Sequence, residues 1–299
     1  MNVLVTGGAG FLGSHLVDEL VLQCYNVLVF DDLSRGEKSQ INPKADFVEG
    51  DVRDSEKWEK ICNAFNPDVI HHLAAVNGTK RFHKEADLVV DVNVNGTKNA
   101  IEFAQKYNAR LVFYSSPESF GEQEEMPLSN HSESVFPPAH LHQRHSYGAS
   151  KHVGELLCHF AHRNGLDVRI VRPCNVYGPR LHGNENGQVV SIMLQSNPII
   201  VHGDGLQTRS FTWIYDIVAA LVKVGQIEGL SGHSFNLGST EEVTILQLAE
   251  MISRLRLVNL EYGEPNFGDS ARRIPDVSGN HLIDWVATTK LEDGLNQLL

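Results

Sequence analysis

The sequence predicts a doubly wound α/β fold, one parallel sheet with helices on both faces. Three observations carry this. Short apolar runs alternate with amphipathic stretches through the first 173 residues. A glycine-rich turn joins the first apolar run to the first helical stretch. An acidic residue, Asp31, closes the second run.

The elements follow in order. Strands are expected at Asn2–Thr6, Asn26–Asp31, Asp46–Glu49, Val69–Leu73, Arg110–Ser115 and Val168–Arg172. Helices are expected at 11–23, 55–65, 87–107 and 147–163. In the first helix Leu16, Val17, Leu20 and Val21 recur at helical spacing and form a core stripe. The connections in such a sheet are right-handed crossovers. The rhythm changes after Pro173, where residues 174–210 are rich in Gly, Asn and Pro. A helix at 212–226 and a strand at Ser234–Leu237 return to the sheet, and 244–256 form another helix. The expected division is therefore a sheet domain from 1–173 and 211–239. A smaller, discontinuous C-terminal region comes from 174–210 and 240–299.

Composition narrows the function classes. The chain has 299 residues, 41% hydrophobic and 21% charged, which suits a globular protein with a sizeable core. A formal net charge of −12 argues against nucleic acid as the main partner. None of the four cysteines, Cys24, Cys62, Cys158 and Cys174, forms a C-x-x-C pair, so no structural zinc is expected. Scattered cysteines fit a reducing compartment. With no signal-like start and no apolar run of about 18 residues, a soluble, cytoplasmic protein is expected.

Two motifs carry the chemistry. Gly8-Ala9-Gly10-Phe11-Leu12-Gly13 fits G-x-G-x-x-G between a strand and a helix, the context of a dinucleotide cradle. Its glycines let backbone approach a pyrophosphate, and the helix N-terminus favours negative charge. Asp31 can accept both hydroxyls of an adenosine ribose and would repel a 2′-phosphate, so NAD is expected over NADP, with Arg35 nearby the dissenting residue. Asp51 and Val52 end the third strand, where an adenine edge or a solvated turn would sit. The second motif is Tyr147-Gly148-Ala149-Ser150-Lys151. Tyr147 and Lys151 stand at i and i+4 on one helix face. A phenol ionises near 10, so it needs a nearby ammonium and a cationic nicotinamide to act as a base.

With these motifs the chain resembles the extended short-chain dehydrogenase/reductases, within them the NAD-dependent nucleotide-sugar epimerase/dehydratase family. The resemblance extends to His72-Leu73-Ala74-Ala75, Asn93-Val94-Asn95-Gly96-Thr97, Tyr114-Ser115-Ser116, Arg172-Pro173-Cys174-Asn175-Val176-Tyr177-Gly178-Pro179 and Thr208-Arg209-Ser210-Phe211. It implies a Rossmann fold, bound NAD and a nucleoside-diphosphate sugar oxidised transiently at C4. It implies cofactor contacts from Gly7, Gly10, Phe11, Leu12, Gly13, Asp31, Asp51, Val52, Leu73, Ala74, Ala75, Asn93, Tyr147 and Lys151. Tyr147 would take the O4 proton and Ser116 would bond O4. Asn93 would position the tyrosine through water, and Asn175 would contact substrate. Arg209, with Arg272 or Arg273, would hold the diphosphate. No metal is implied.

The departure lies at Ser116-Pro117-Glu118. Glucose-type 4,6-dehydratases carry Thr-Asp-Glu there, and simple 4-epimerases carry small residues. Glu118 thus resembles the dehydratase and decarboxylase branches, while Pro117 removes the acid that would protonate a leaving hydroxyl at C6. The alternatives are a plain 4-epimerase and, remotely, a non-catalytic NAD-binding scaffold. His140, His142, Arg144 and His145 suggest a loop lining the sugar pocket, with Arg144 a substrate contact that could also pair with Glu118. His71, His131, His152, His159 and His162 are expected to be structural or exposed. The resemblance also implies a homodimer through helices 87–107 and 147–163.

Overall fold

The computed structural model describes residues 1–299 except 142, 144, 182, 184–186 and 266–269, and leaves out the side chain of Thr79. The first half runs β1 (Asn2–Thr6), α1 (Phe11–Leu22), β2 (Asn26–Asp31), β3 (Asp46–Glu49), α2 (Ser55–Phe65), β4 (Val69–His72), α3 (Thr79–Lys84), α4 (Ala86–Tyr107), β5 (Arg110–Tyr114), α5 (Ser146–Arg163) and β6 (Val168–Pro173). The second half runs β7 (Val176–Tyr177), α6 (Val189–Gln195), β8 (Ile199–His202), β9 (Thr208–Ser210), β10 (Thr212–Trp213), α7 (Ile214–Gln226), β11 (Ser234–Leu237), β12 (Glu242–Thr244), α8 (Ile245–Arg256), β13 (Leu260–Gly263), β14 (Arg272–Arg273) and α9 (Leu291–Asn296).

Seven strands form one sheet in the order β11-β6-β5-β4-β1-β2-β3, and every pairing in it is parallel. Side chains alternate between its faces as a period of two requires. Val3, Val5, Val27, Val29 and Val112 turn to a core shared with Leu16 and Leu20 of α1 and Ile217 and Leu221 of α7. Leu4, Leu28, Phe30, Ile70, Leu111 and Phe113 turn to the opposite core, with Trp58 of α2, Phe103 of α4 and Cys158 of α5. Both faces are covered, which is why the strands are nearly continuous apolar runs.

The strand order reverses between β1 and β4. Strands β2 and β3 build outward on one side, and β5, β6 and β11 on the other. Ligands of open α/β sheets bind at such a switch point, beyond the carboxyl ends of the strands. The remaining strands form three small sheets, β10-β7, β12-β9-β14 and β13-β8, which border that end. The helix expected at 212–226 starts at Ile214, because Thr212–Trp213 pairs with Val176–Tyr177 as a strand first. None of these short strands is legible as an alternating pattern.

Candidate active site

A cleft of about 1090 Å³ lies at the switch point. One end is formed by the turn after β1, where Gly7, Gly10, Phe11, Leu12 and Gly13 reach its wall and Gly8 does not. The glycines facing the cleft are therefore spaced three apart. Gly7 adopts a φ of +69°, and a Cβ on Gly13 would lie 2.1 Å from the Gly7 carbonyl oxygen. That turn tolerates no side chain. The N-cap of α1 is Gly10, which supplies no side-chain cap, so the first N–H groups of the helix are left for a ligand.

Asp31, buried at the end of β2, accepts the N–H groups of Ala9 at 3.0 Å and Leu33 at 2.9 Å. Burial pushes its carboxyl above the usual range, and these two hydrogen bonds pull it back. Val52, Leu73, Ala74 and Ala75 continue the wall. The cradle, the uncapped helix and the acid at the second strand fit a dinucleotide with a free adenosine ribose. Two expected contacts lie off the wall. Asp51 is held by Arg53, whose Nε donates to both carboxylate oxygens at 3.0 Å, and its side chain is half-buried. Asn93 is buried behind the wall. It accepts from the Val76 N–H at 2.8 Å and donates to Ser150 Oγ at 2.9 Å. Ser150 Oγ in turn donates to the Tyr147 carbonyl at 2.7 Å, so Asn93 reaches the tyrosine through protein.

Tyr147 and Lys151, on the first turns of α5, line the middle of the cleft. Tyr147 stacks on Phe82 of α3, with centroids 5.1 Å apart and planes at 14°. Burial pushes its phenol well above the usual range and the nearby Glu118 charge adds to this, while a hydrogen bond with Ser116 and the charge of Arg35 pull it down. Lys151 Nζ donates to the Tyr114 carbonyl at 2.7 Å and lies 5.7 Å from the Tyr147 ring centroid. Burial lowers its ammonium to about 8.

Ser116 and Glu118 share one 3-10 turn, Pro117–Phe120, beyond β5. Ser116 caps it by accepting the Glu118 N–H at 3.2 Å, and proline suits its first position. The turn lies hard against α5, since a Cβ on Gly148 would fall 2.2 Å from the Glu118 carbonyl oxygen. Among the described residues the Glu118 carboxylate pairs with Arg273, at 2.7 Å. Arg273 Nη2 also donates to the Gly121 carbonyl at 2.8 Å.

The far end of the cleft includes Asn175, Arg209 and Arg273. Asn175 Nδ2 donates to the Ser210 carbonyl at 2.8 Å, and Arg209 Nη1 to the Thr208 carbonyl at 2.8 Å. Arg272 lies outside it. Along β14 successive side chains point to opposite sides, and Arg272 faces solvent, bound to Glu242 at 2.7 and 2.8 Å. Arg144 and His142 lie outside the described residues. His145 pairs with Glu122 at 2.9 Å, and His140 is exposed. Phe82, Lys80 and His83 of α3 also line the cleft, a contribution the sequence did not signal because α3 is only six residues long. Among the described residues no group of three or more metal-ligating side chains is found.

The family model described as the NAD dependent epimerase/dehydratase family matches residues 3–238. The chain belongs to that family. It is therefore an NAD-dependent enzyme of epimerase/dehydratase type, and its glycine cradle and Asp31 fit the cofactor. A putative UDP-glucose 4-epimerase of Methanocaldococcus jannaschii is 33% identical, the match covering 99% of this chain and 97% of that protein. A UDP-N-acetyl-alpha-D-glucosaminuronate decarboxylase of Bacillus cytotoxicus is 31% identical over 99% and 96% of the two chains. Among solved structures, UDP-glucose 4-epimerase of Thermotoga maritima with UDP-glucose superimposes with a TM-score of 0.91 at 30% identity, covering 99% of this chain and 96% of that one. The dTDP-glucose 4,6-dehydratase of Bacillus anthracis in complex with NAD gives 0.86 at 25% identity, covering 99% and 94%.

Proposed function

We propose that this enzyme oxidises a UDP-sugar at C4 and that Glu118 then handles a proton at C5, chemistry of the decarboxylase or dehydratase kind. Residues 1–173 and 211–239 would hold NAD, and 174–210 with 240–299 the sugar nucleotide. The choice of UDP rests on the relatives and neighbours named for it. NAD supplies the hydride acceptor. Tyr147 takes the O4 proton while Ser116 donates to the same oxygen, and Lys151 keeps positive charge beside the phenolate. A 4-keto sugar acidifies its C5 proton and weakens the bond to a C6 carboxyl. The observation that carries the reading is Glu118. Its carboxylate lines the cleft on the turn that also carries Ser116, close enough to Tyr147 to raise the phenol's pKa. Pro117 leaves no second acid there to protonate a C6 hydroxyl, which favours loss of CO₂ over loss of water.

One observation favours the 4-epimerase alternative. Glu118 is ion-paired with Arg273, as a purely structural carboxylate would be. The test is turnover of UDP-glucose, UDP-N-acetylglucosamine and UDP-glucuronic acid, read by mass spectrometry. Loss of CO₂ or water supports the proposal, whereas an unchanged mass with C4 inverted gives the epimerase. Glu118→Gln should still reduce NAD but lower product formation by about 100-fold or more. Tyr147→Phe should abolish both and leave NAD bound. If Glu118→Gln turns over normally, Glu118 has no part in the chemistry.

A further inference from the structure

Glu155 lies two turns beyond Tyr147 and one beyond Lys151 on α5, and no step of the proposed reaction uses it. It is buried, 7% exposed. Its carboxylate is bound on two sides. Arg172, at the end of β6, donates from Nε to Oε1 at 2.7 Å and from Nη2 to Oε2 at 2.5 Å. The hydroxyl of Ser115 donates to Oε1, and the hydroxyl of Ser119 is a further partner. Ser115 and Ser119 flank the segment that carries Ser116 and Glu118. Arg172 lies with its guanidinium carbon 4.8 Å from the centroid of the Phe120 ring, at the end of the same turn. Among the described residues the further charged and titratable neighbours are Lys151, Cys158 and His159, all on α5 itself.

We infer that Glu155 is a positioning residue, a clamp that fixes the turn bearing Ser116 and Glu118 against the helix bearing Tyr147 and Lys151. The two catalytic segments come from different elements, and the Tyr147 and Ser116 hydroxyls must meet one substrate oxygen, so their spacing has to hold to a fraction of an ångström. Serine hydroxyls and a bidentate guanidinium on one carboxylate fix both distance and direction. The inference rests on the roles proposed for Tyr147 and Ser116.

Removing a buried carboxylate from its arginine is costly, so two variants are needed. Glu155→Gln breaks the ion pair. Ser115→Ala combined with Ser119→Ala frees the turn and leaves Glu155 and Arg172 together. Both are compared in NAD-loaded enzyme, using UDP-glucose or UDP-glucuronic acid, whichever the unmodified enzyme converts. The serine variant should melt somewhat lower, keep its KM and its NAD affinity within about twofold and lose about tenfold or more in kcat, because the alignment of the reacting groups has changed. Ionisation of Tyr147, read without substrate as ultraviolet difference absorbance against Tyr147→Phe, should shift to higher pH as Ser116 loses its place. Glu155→Gln, where it folds, should show the same kcat loss, and adding it to the serine variant should cost little more. A serine variant with unchanged kcat and unchanged Tyr147 titration overturns the inference, whatever Glu155→Gln does. Full activity in Tyr147→Phe would instead overturn the proposed function on which it rests.

Discussion

Lys151 carries a charge where water does not reach. It is 3% exposed, and burial brings its ammonium from lysine's ordinary 10.5 to about 8. Between those two values the unfolded chain holds a proton that the folded chain has released. Folding stability therefore rises with pH across that window, and below about 8 the cost of the buried charge is present in full. Lys151→Met should remove that cost. Without cofactor, the variant is expected to be more stable than the unmodified protein at pH 7 by up to about 3 kcal/mol, less what the hydrogen bond to the Tyr114 carbonyl contributed. The advantage should shrink as pH rises towards lysine's ordinary range, and catalysis should be lost. Urea melts at pH 7 and at high pH measure both, and a variant less stable at every pH would contradict the argument. The site keeps an unfavourable charge that a methionine would relieve, as expected where function outweighs stability.

At the scale of elements, the legible parts are those with a long enough period. Strands β1 to β6 and helices α1, α2, α4 and α5 were readable from alternation, helical stripes and the glycine turn. Strands β7, β9, β10, β12 and β14 have two or three residues, too few to show a period. The pairing of Tyr147 with Lys151 was readable because i, i+4 is a local relation. The pairing of Glu118 with Arg273 was not, since it joins a turn after β5 to β14 through the fold alone. Glu155 was within reach, four residues after Lys151 on the same face, but its meaning depends on Arg172 and Ser115 arriving from other strands. The start of α8 shows a local signal of a different kind. Thr244 Oγ1 accepts the Gln247 N–H at 3.0 Å, and Gln247 Oε1 accepts the Thr244 N–H at 2.8 Å, a reciprocal capping box. Thr244→Ala should lower stability by about 1 kcal/mol in urea denaturation and leave turnover unchanged, because both bonds lie outside the cleft. A loss of turnover would mean that α8 also shapes the substrate end.

For the whole molecule, the outer faces of α4 and α5 set the expected assembly. One face of each packs on the sheet through Phe103, Ala104, Cys158 and Ala161. The other leaves Val90 43% exposed, Val153 37%, Leu156 59% and Phe160 67%. Single exposed apolar residues are ordinary, but four on two adjacent helices form a patch of the kind that marks an interface. A second copy of the chain is the natural occupant, since a two-fold axis lets the same two helices cover each other in a four-helix arrangement. That would also explain why α5 can hold a buried lysine, a buried glutamate and a tyrosine without loosening, because the helix would be packed on both sides. Sedimentation at micromolar concentration should therefore give a dimer. Leu156→Glu with Phe160→Glu should give a monomer, because it buries two like charges from each protomer at the symmetric contact. Turnover should fall with it by about tenfold, as α5 loses its outer support and Tyr147 its fixed distance from Ser116. A monomeric variant with full activity would separate assembly from catalysis, and an unmodified protein that sediments as a monomer would leave the patch to some other partner.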